Sequence, residues 1–212
     1  MLIPFGVNAQ MDNLANMSAK WIRANARNAA LDGADVVNYN PAGLVKMSDG
    51  IHISLNNQTL FRKPQHSFTL QFGKKSFEQD GADPFLPALY AAYKKDKWAV
   101  SSGVYVTGGG ASADYPDGSV NTYLLGYLNL QTVNATYGTN YSVINGSLKA
   151  SSYYIAVPVN FSYSITDKLA LSLGGRYIIA KNHTKAELNL PEIASNTTID
   201  YNKNATGFGG IV

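Results

Sequence analysis

Residues 152–166 read SYYIAVPVNFSYSIT, the most regular alternation in the chain. Every second position is apolar or aromatic, and this set comprises Tyr153, Ile155, Val157, Val159, Phe161, Tyr163 and Ile165. A period of two predicts a β-strand with one apolar face. Strands of soluble proteins usually run about 5 to 6 residues, whereas a tilted strand that crosses a membrane needs about 9 to 11. The length of this run is therefore typical of a membrane strand.

The same period continues after a tight turn at residues 166–168. Apolar residues recur at every second position from Leu169 to Leu173, and again at Tyr177 and Ile179. We expect the apolar faces of both strands to contact lipid, as in a membrane barrel. The opposite faces would point inward, where an arginine in place of Asn160 is expected to cost little. These inward positions are Asn160, Ser162, Ser164, Ser172 and Arg176.

Shorter runs upstream show the same pattern. Residues 84–93 and 98–107 are joined by a charged turn at 94–97, which predicts a β-hairpin. Residues 51–72 alternate except near Pro64, which predicts one long strand with a break or bulge at that point.

The predicted connections alternate in length. They are long at 73–83, short at 94–97, long at 108–149, short at 167–168 and long again at 191–204. Bacterial outer-membrane barrels have short turns at one end and longer loops at the other. Residues 50–212 are therefore predicted to be all-β, as the incomplete N-terminal part of an antiparallel transmembrane β-barrel, with about five to six strands present.

The composition excludes several classes of protein. The formal net charge is only +3, too small to indicate a nucleic-acid partner. Because the chain has no cysteine, thiolate zinc sites, disulfides and thiol catalysis are excluded. No run reaches the ~18 to 20 apolar residues of a membrane helix, and the three histidines have no metal-ligand spacing. We predict no enzyme activity, no cofactor and no metal.

Residues 1–49 form a separate N-terminal segment in this interpretation. Apolar residues at helical spacing, Leu14, Met17, Trp21 and Ile22, predict a short amphipathic helix. The segment then continues into residues 27–44, which lack the period of two seen in the strands that follow.

Residues 27–44 of this segment read RNAALDGADVVNYNPAGL. Pro41 fixes its own φ and disfavours the helical region for Asn40, so any helix before it must end there. Gly43 then permits a tight turn. Taken alone, the run Asn40, Pro41, Ala42 and Gly43 is explained by a plain turn between a helix and a strand.

Two stretches carry a resemblance to a known family. Residues 27–44, and residues 84–115 with the sequence PFLPALYAAYKKDKWAVSSGVYVTGGGASADY, resemble FadL/TodX-type outer-membrane transporters of long-chain fatty acids and other hydrophobic compounds. The resemblance covers the whole chain. It implies a barrel of roughly fourteen strands, with residues 1–49 folded inside as a hatch and residues 50–212 as the first part of the wall. The protein is then expected in the bacterial outer membrane, as a monomer at full length.

The resemblance also implies two functional features. The third strand of these transporters bends inward and opens a gap in the wall beside the hatch, and the matching positions are Thr107, Gly108, Gly109 and Gly110. We expect the hatch motif at Asn40, Pro41, Ala42 and Gly43 to contact this bend. Three glycines at the end of a strand are equally explained as an ordinary bulge or turn.

In these transporters a cationic residue near the end of the fifth strand helps to hold the ligand carboxylate. The candidates are Arg176, Lys181 and Lys185. The two lysines are equally explained as solvated residues at the extracellular rim.

Two functions remain open from the sequence. The first is diffusion-driven uptake of hydrophobic small molecules through a hatch-plugged barrel with a lateral opening, in contact with outer-membrane lipid. The alternative is a secreted or surface-exposed β-rich adhesin or binding module, in which both faces of the strands would be buried.

Overall fold

The computed structural model describes residues 18–24, 29–70 and 73–212. The helices are α1 (Ala19–Ala24) and α2 (Val120–Tyr137). The strands are β1 (Gly50–Arg62), β2 (Gln65–Leu70), β3 (Gly73–Glu78), β4 (Gly81–Lys95), β5 (Trp98–Tyr115), β6 (Asn145–Ser164), β7 (Ala170–Leu190) and β8 (Ser195–Ile211). Short 3₁₀ helices span Ala34–Asn38, Pro41–Lys46 and Pro191–Ile193.

Six of these strands form one antiparallel sheet in the order β1-β4-β5-β6-β7-β8, and β2 pairs with β3 in a separate sheet. The mostly antiparallel, all-β character predicted from the sequence is confirmed. Within the described ranges, no helix is long and apolar enough to cross a membrane. The predicted N-terminal helix is described only as α1, and its Leu14 and Met17 lie outside the described residues.

The predicted long strand across Pro64 and the predicted loop at 73–83 are both wrong. β1 ends at Arg62, and the next residues form the β2–β3 hairpin. The rings of Phe68 and Phe77 stack across this hairpin at 6.2 Å, and both lie 5.9 Å from the ring of Tyr123 in α2. The β2–β3 hairpin therefore packs against α2, and local periodicity in the sequence does not reveal this contact.

The predicted long loops at 108–149 and 191–204 are also replaced by regular structure. β5 continues to Tyr115, and α2 follows it with Ser119 as N-cap and Gly138 as a left-handed C-cap. β7 and β8 are joined only by a 3₁₀ turn and Ala194. The strict alternation of long and short connections is therefore wrong at the β7–β8 turn.

Residues 34–46, here named the covering segment, pack against one face of the sheet. Val36, Val37, Leu44 and Val45 are buried there. Their partners on the sheet are small residues and two tyrosines: Ala88, Tyr90, Ala92, Ala99, Tyr105 and Ala156. We name this the covered face and the opposite side the open face.

The alternation predicted for β6 and β7 is confirmed. Ser162 and Ser172 are buried on the covered face, whereas Leu173 on the open face is 69% exposed. Asn160 is also on the covered face, but it is only 1% exposed. A Cβ built on Gly174 would lie 2.2 Å from Asn160 Oδ1, so the Asn160 side chain packs directly against the backbone of β7. The expectation that arginine would be tolerated at Asn160 is therefore wrong.

Candidate functional site

The open face carries an apolar band with a sharp border toward the end of the sheet where α2 lies, which we call the upper end. Along β7 its residues are apolar or glycine from Leu171 to Ile179, and they are charged or polar from Lys181 to Glu187. The apolar part covers eight residue steps of about 3.3 Å, or ~26 Å along the strand. Large exposed apolar side chains on the neighbouring strands extend the band: Ile51, Ile53, Leu55, Phe85, Leu89, Val100, Val104, Val159 and Phe161.

Aromatic residues mark the lower border of the band. The rings of Tyr93 and Trp98 lie 5.5 Å apart, and Trp98 pairs with Tyr163 across β5 and β6. Charged turns follow directly. There, Lys94 donates a hydrogen bond to Asp49, and this bond, with a second from a backbone N–H, holds the pKa of the Asp49 carboxyl below its usual value. Tyrosine and tryptophan at such a border are typical of a membrane–water interface.

The sheet splits within the band. In the described strands, pairing between β4 and β5 runs from Lys95–Trp98 to Leu89–Val104 and ends there. Beyond this point β4 stays paired with β1, and β5 stays paired with β6. Pro84 and Pro87 lie in the part of β4 that is not paired with β5, and proline cannot donate a ladder hydrogen bond.

The predicted glycine bend lies on the β5 side of this split. The register of β5 on β6 shifts between Val106 and Gly108, and again between Gly108 and Ala111, so Thr107, Gly108, Gly109 and Gly110 span two irregularities. Gly109 has φ +115°, and a Cβ there would lie 2.2 Å from the Ser152 carbonyl oxygen. Because β5 continues to Tyr115, the glycines form a bulge inside a strand, not the end of one.

The contacts across the split show the direction of the bend. Leu86 belongs to the covered face of β4, while Val106 belongs to the open face of β5. These two residues are buried together, with Ala111, Leu60 and Tyr153 in the same cluster. A side chain on the open face of β5 can contact a side chain on the covered face of β4 only if β5 lies on the covered side of β4. The upper part of β5 is therefore displaced past β4 toward the covered face.

A polar cluster closes the top of the split. Asp83 of β4 is 4% exposed. It accepts hydrogen bonds from Ser112 Oγ (2.7 Å), the Tyr153 hydroxyl (2.9 Å) and the Arg62 guanidinium (2.9 Å). Arg62 and Gln79 also donate to the Ser112 carbonyl, at 3.0 and 2.8 Å. We name these five residues the clamp; no sequence motif singles them out, because the predicted loop at 73–83 placed Asp83 outside the strands.

The hatch motif lies elsewhere. Ser162 Oγ donates to the Pro41 carbonyl oxygen at 2.8 Å, which places the motif near the β6–β7 turn. Ser162 is opposite Ala99, and Gly109 lies ten residues further along β5, or roughly 33 Å. The expected contact between Asn40, Pro41, Ala42 or Gly43 and the glycine bend is therefore wrong. A Cβ at Gly43 would lie 3.0 Å from the Ala30 carbonyl oxygen, so this glycine serves close packing.

Replacing Ser162 with alanine should loosen the covering segment. The change removes a neutral hydrogen bond worth about 1 kcal/mol, which corresponds to roughly fivefold faster protease cleavage within residues 34–46. Ser164→Ala is the matched control because its hydroxyl donates to the Thr166 carbonyl in the adjacent turn. Equal cleavage rates in the two variants would contradict this role of Ser162.

The structure does not bring the three cationic candidates together. Arg176 is half-buried on the covered face beside the Tyr105 hydroxyl. Lys181 and Lys185 are on the open face, above the apolar band. Lys185 pairs with Glu187 at 2.7 Å, and this hydrogen bond raises the pKa of Lys185 and lowers that of Glu187. Lys181 and Lys185 therefore lie among the charged and polar residues beyond the band. Arg176 is separated from Lys185 by nine residue steps, ~30 Å.

A cavity of about 210 Å³ lies between α2 and the covered face, above the level of the band. Its apolar lining includes Leu125, Leu148, Leu188, Ile199 and Tyr201. The sequence did not predict it because α2 was assigned to a loop. Among the described residues, no group of three or more histidine, aspartate or glutamate side chains could hold a metal ion.

Comparison with known proteins leaves the family undetermined. No family model, no curated protein and no solved structure matches this chain.

Proposed function

We propose that this chain forms the hatch and part of the wall of an outer-membrane barrel that takes up hydrophobic small molecules, long-chain fatty acids among them, by diffusion. The observation that carries the proposal is that the sheet exposes its large apolar side chains instead of burying them. Its exposed face has an apolar band bordered by aromatic and charged residues, whereas its covered face at the same level carries mainly alanines, serines and two tyrosines. Membrane barrels alternate in this way, with apolar residues toward lipid.

The alternative, a secreted adhesin or binding module, has less support. Such a protein would bury both strand faces, whereas Ile51, Leu55, Phe85 and Leu173 are each about 70% exposed or more. A contiguous apolar surface of this extent marks an interaction with a membrane or another protein. Charged rims above and below the band favour the membrane.

The proposal assigns three parts to a path for solutes. The cavity beneath α2 would receive an apolar chain from outside. The covering segment would act as the hatch that fills the interior next to the covered face. The split between β4 and β5 would be the lateral exit, because in the described strands the ladder that joins these two neighbours ends at Leu89 and Val104.

The proposal also sets a condition on the edges of the sheet. In the described chain, β1 and β8 each pair on one side only. Unpaired backbone groups cost several kcal/mol each in hydrocarbon. In the membrane both edges must therefore pair with further strands.

The test compares binding of a fluorescent fatty acid with binding of its methyl ester to the protein in outer-membrane vesicles. If Arg176 meets the carboxylate, Arg176→Gln should weaken fatty-acid binding about tenfold, since a hydrogen bond to a charged group is worth about 1.5 kcal/mol or more. Binding of the ester should not change.

Lys185→Gln is the matched control, because it removes a cation on the opposite face that Glu187 already pairs. Equal losses in the two variants would contradict the role of Arg176. Absence of saturable binding of either probe to the unsubstituted protein, or its absence from the outer membrane, would contradict the proposed function itself.

A further inference from the structure

We infer that the split between β4 and β5 is a gated window that the clamp holds closed. The hydrogen bond from Tyr153 to Asp83 is the contact whose loss opens it. This inference rests on the proposed function for its role in transport. The window itself is defined by strand pairing and side-chain contacts.

The window has closed borders. Below, it begins where the ladder ends at Leu89 and Val104. Above, the Asp80 N–H donates to the Asp114 carbonyl at 2.8 Å, next to the clamp. Between these borders, the residues from 84 to 88 and from 105 to 111 face each other without pairing in the described strands. Backbone hydrogen bonds therefore frame the window but do not fill it.

Side chains fill the window. Leu86, Val106 and Ala111 are buried in it, packed with Leu60 and Tyr153. These groups form a purely apolar contact apart from the tyrosine hydroxyl. An apolar seal can open by side-chain rotation, without breaking the ladder on either side, and its lining suits an alkyl chain or another apolar solute.

The clamp sets the stability of the closed state. Asp83 accepts from β5 through Ser112 and from β6 through Tyr153, so one carboxylate ties β4 to both of these strands. Arg62 holds the same carboxylate at 2.9 Å and supplies the compensating charge. Tyr153 belongs to the open face of β6, its ring packs against the apolar cluster in the window, and its hydroxyl donates to Asp83 on the covered face of β4. Loss of this bond should release the ring without removing Arg62 or Ser112.

The experiment measures opening without any transported solute. The chain has no cysteine, so a single Val106→Cys thiol, buried in the window, reports exposure by its rate of reaction with N-ethylmaleimide in outer-membrane vesicles. Adding Tyr153→Phe should raise this rate about tenfold or more, because a hydrogen bond to a charged group is removed while the ring remains. Adding Tyr154→Phe, a change at the next residue on the opposite face, should leave the rate unchanged.

A second variant guards against misfolding. Asp83→Asn keeps the shape of the side chain and should also raise the rate, and all variants should retain the parent's migration on unheated gels. An unchanged rate in both Tyr153→Phe and Asp83→Asn would overturn the gate. If the rate rises but neither the parent nor the variants take up a fluorescent fatty acid, the gate stands and the transport function falls. A rise in both labelling and uptake supports both.

Discussion

Replacing Val159 with arginine is expected to destabilise the protein in lipid by about 2 to 4 kcal/mol. Val159 is exposed on the open face and pairs with Gly175, midway between Leu171 and Ile179. A charge at this depth would have to leave water for hydrocarbon. The measurement is the free energy of unfolding of the protein refolded into phospholipid vesicles.

The matched control is Thr198→Arg. Thr198 is exposed on the same face but lies opposite Glu187, above the band, so its replacement should change the free energy of unfolding by no more than about 0.5 kcal/mol. If the open face met water, Val159→Arg would be equally harmless, because 57% of this residue is exposed. Equal, small effects at both sites would contradict the lipid contact.

Replacing Gly109 with valine is the second change with a large expected effect. The new Cβ would meet the Ser152 carbonyl oxygen at 2.2 Å, and φ at +115° is a conformation that β-branched residues avoid. Backbone strain and overpacking each cost about 1 to 3 kcal/mol, so a loss of roughly 2 to 6 kcal/mol is expected if the bulge persists. Thermal unfolding in detergent measures this loss.

Gly207→Val provides the comparison in a strand of ordinary geometry. A Cβ there meets nothing within 4 Å, so a stability change within about 0.5 kcal/mol is expected. Should Gly109→Val be as harmless as Gly207→Val, the bulge would not depend on glycine and the physical account of the bend would be wrong.

The parts of the fold that the sequence predicted are those fixed by local alternation. In β6 and β7, each residue's face follows from its parity, because the two strands pair without a register shift. The glycine run at residues 107–110 was also singled out from the sequence, and the register of β5 on β6 shifts twice there. The close approach of Gly109 to the Ser152 carbonyl oxygen became visible only in the structure.

The parts that the sequence did not predict depend on distant contacts. β8 is polar along most of its length and exposed on both faces, so alternation could not mark it, and its pairing with β7 defines it. α2 has apolar residues all round and lacks a clear apolar stripe, although its caps at Ser119 and Gly138 were legible. The site of the hatch motif was misplaced because it is set by Ser162, 121 residues away.

The clamp illustrates the same limit for the candidate site. Arg62, Asp83, Ser112 and Tyr153 come from four strands, and the displacement of β5 brings them together. Parity alone assigned Tyr153 to the lipid-facing row. Because β5 passes behind β4, the tyrosine hydroxyl turns to a buried carboxylate instead.

The most direct test of the central claim is a cysteine scan of β7 from residue 171 to 187. Each single cysteine would carry a fluorophore in vesicles of brominated phospholipid, which quenches only dyes in contact with lipid; the absence of native cysteine makes every label unique. We predict strong quenching at every second position from Leu171 to Ile179, weak quenching between them, and little from Lys181 onward. Quenching without a period of two, or as weak at Leu173 as at Lys185, would contradict the account.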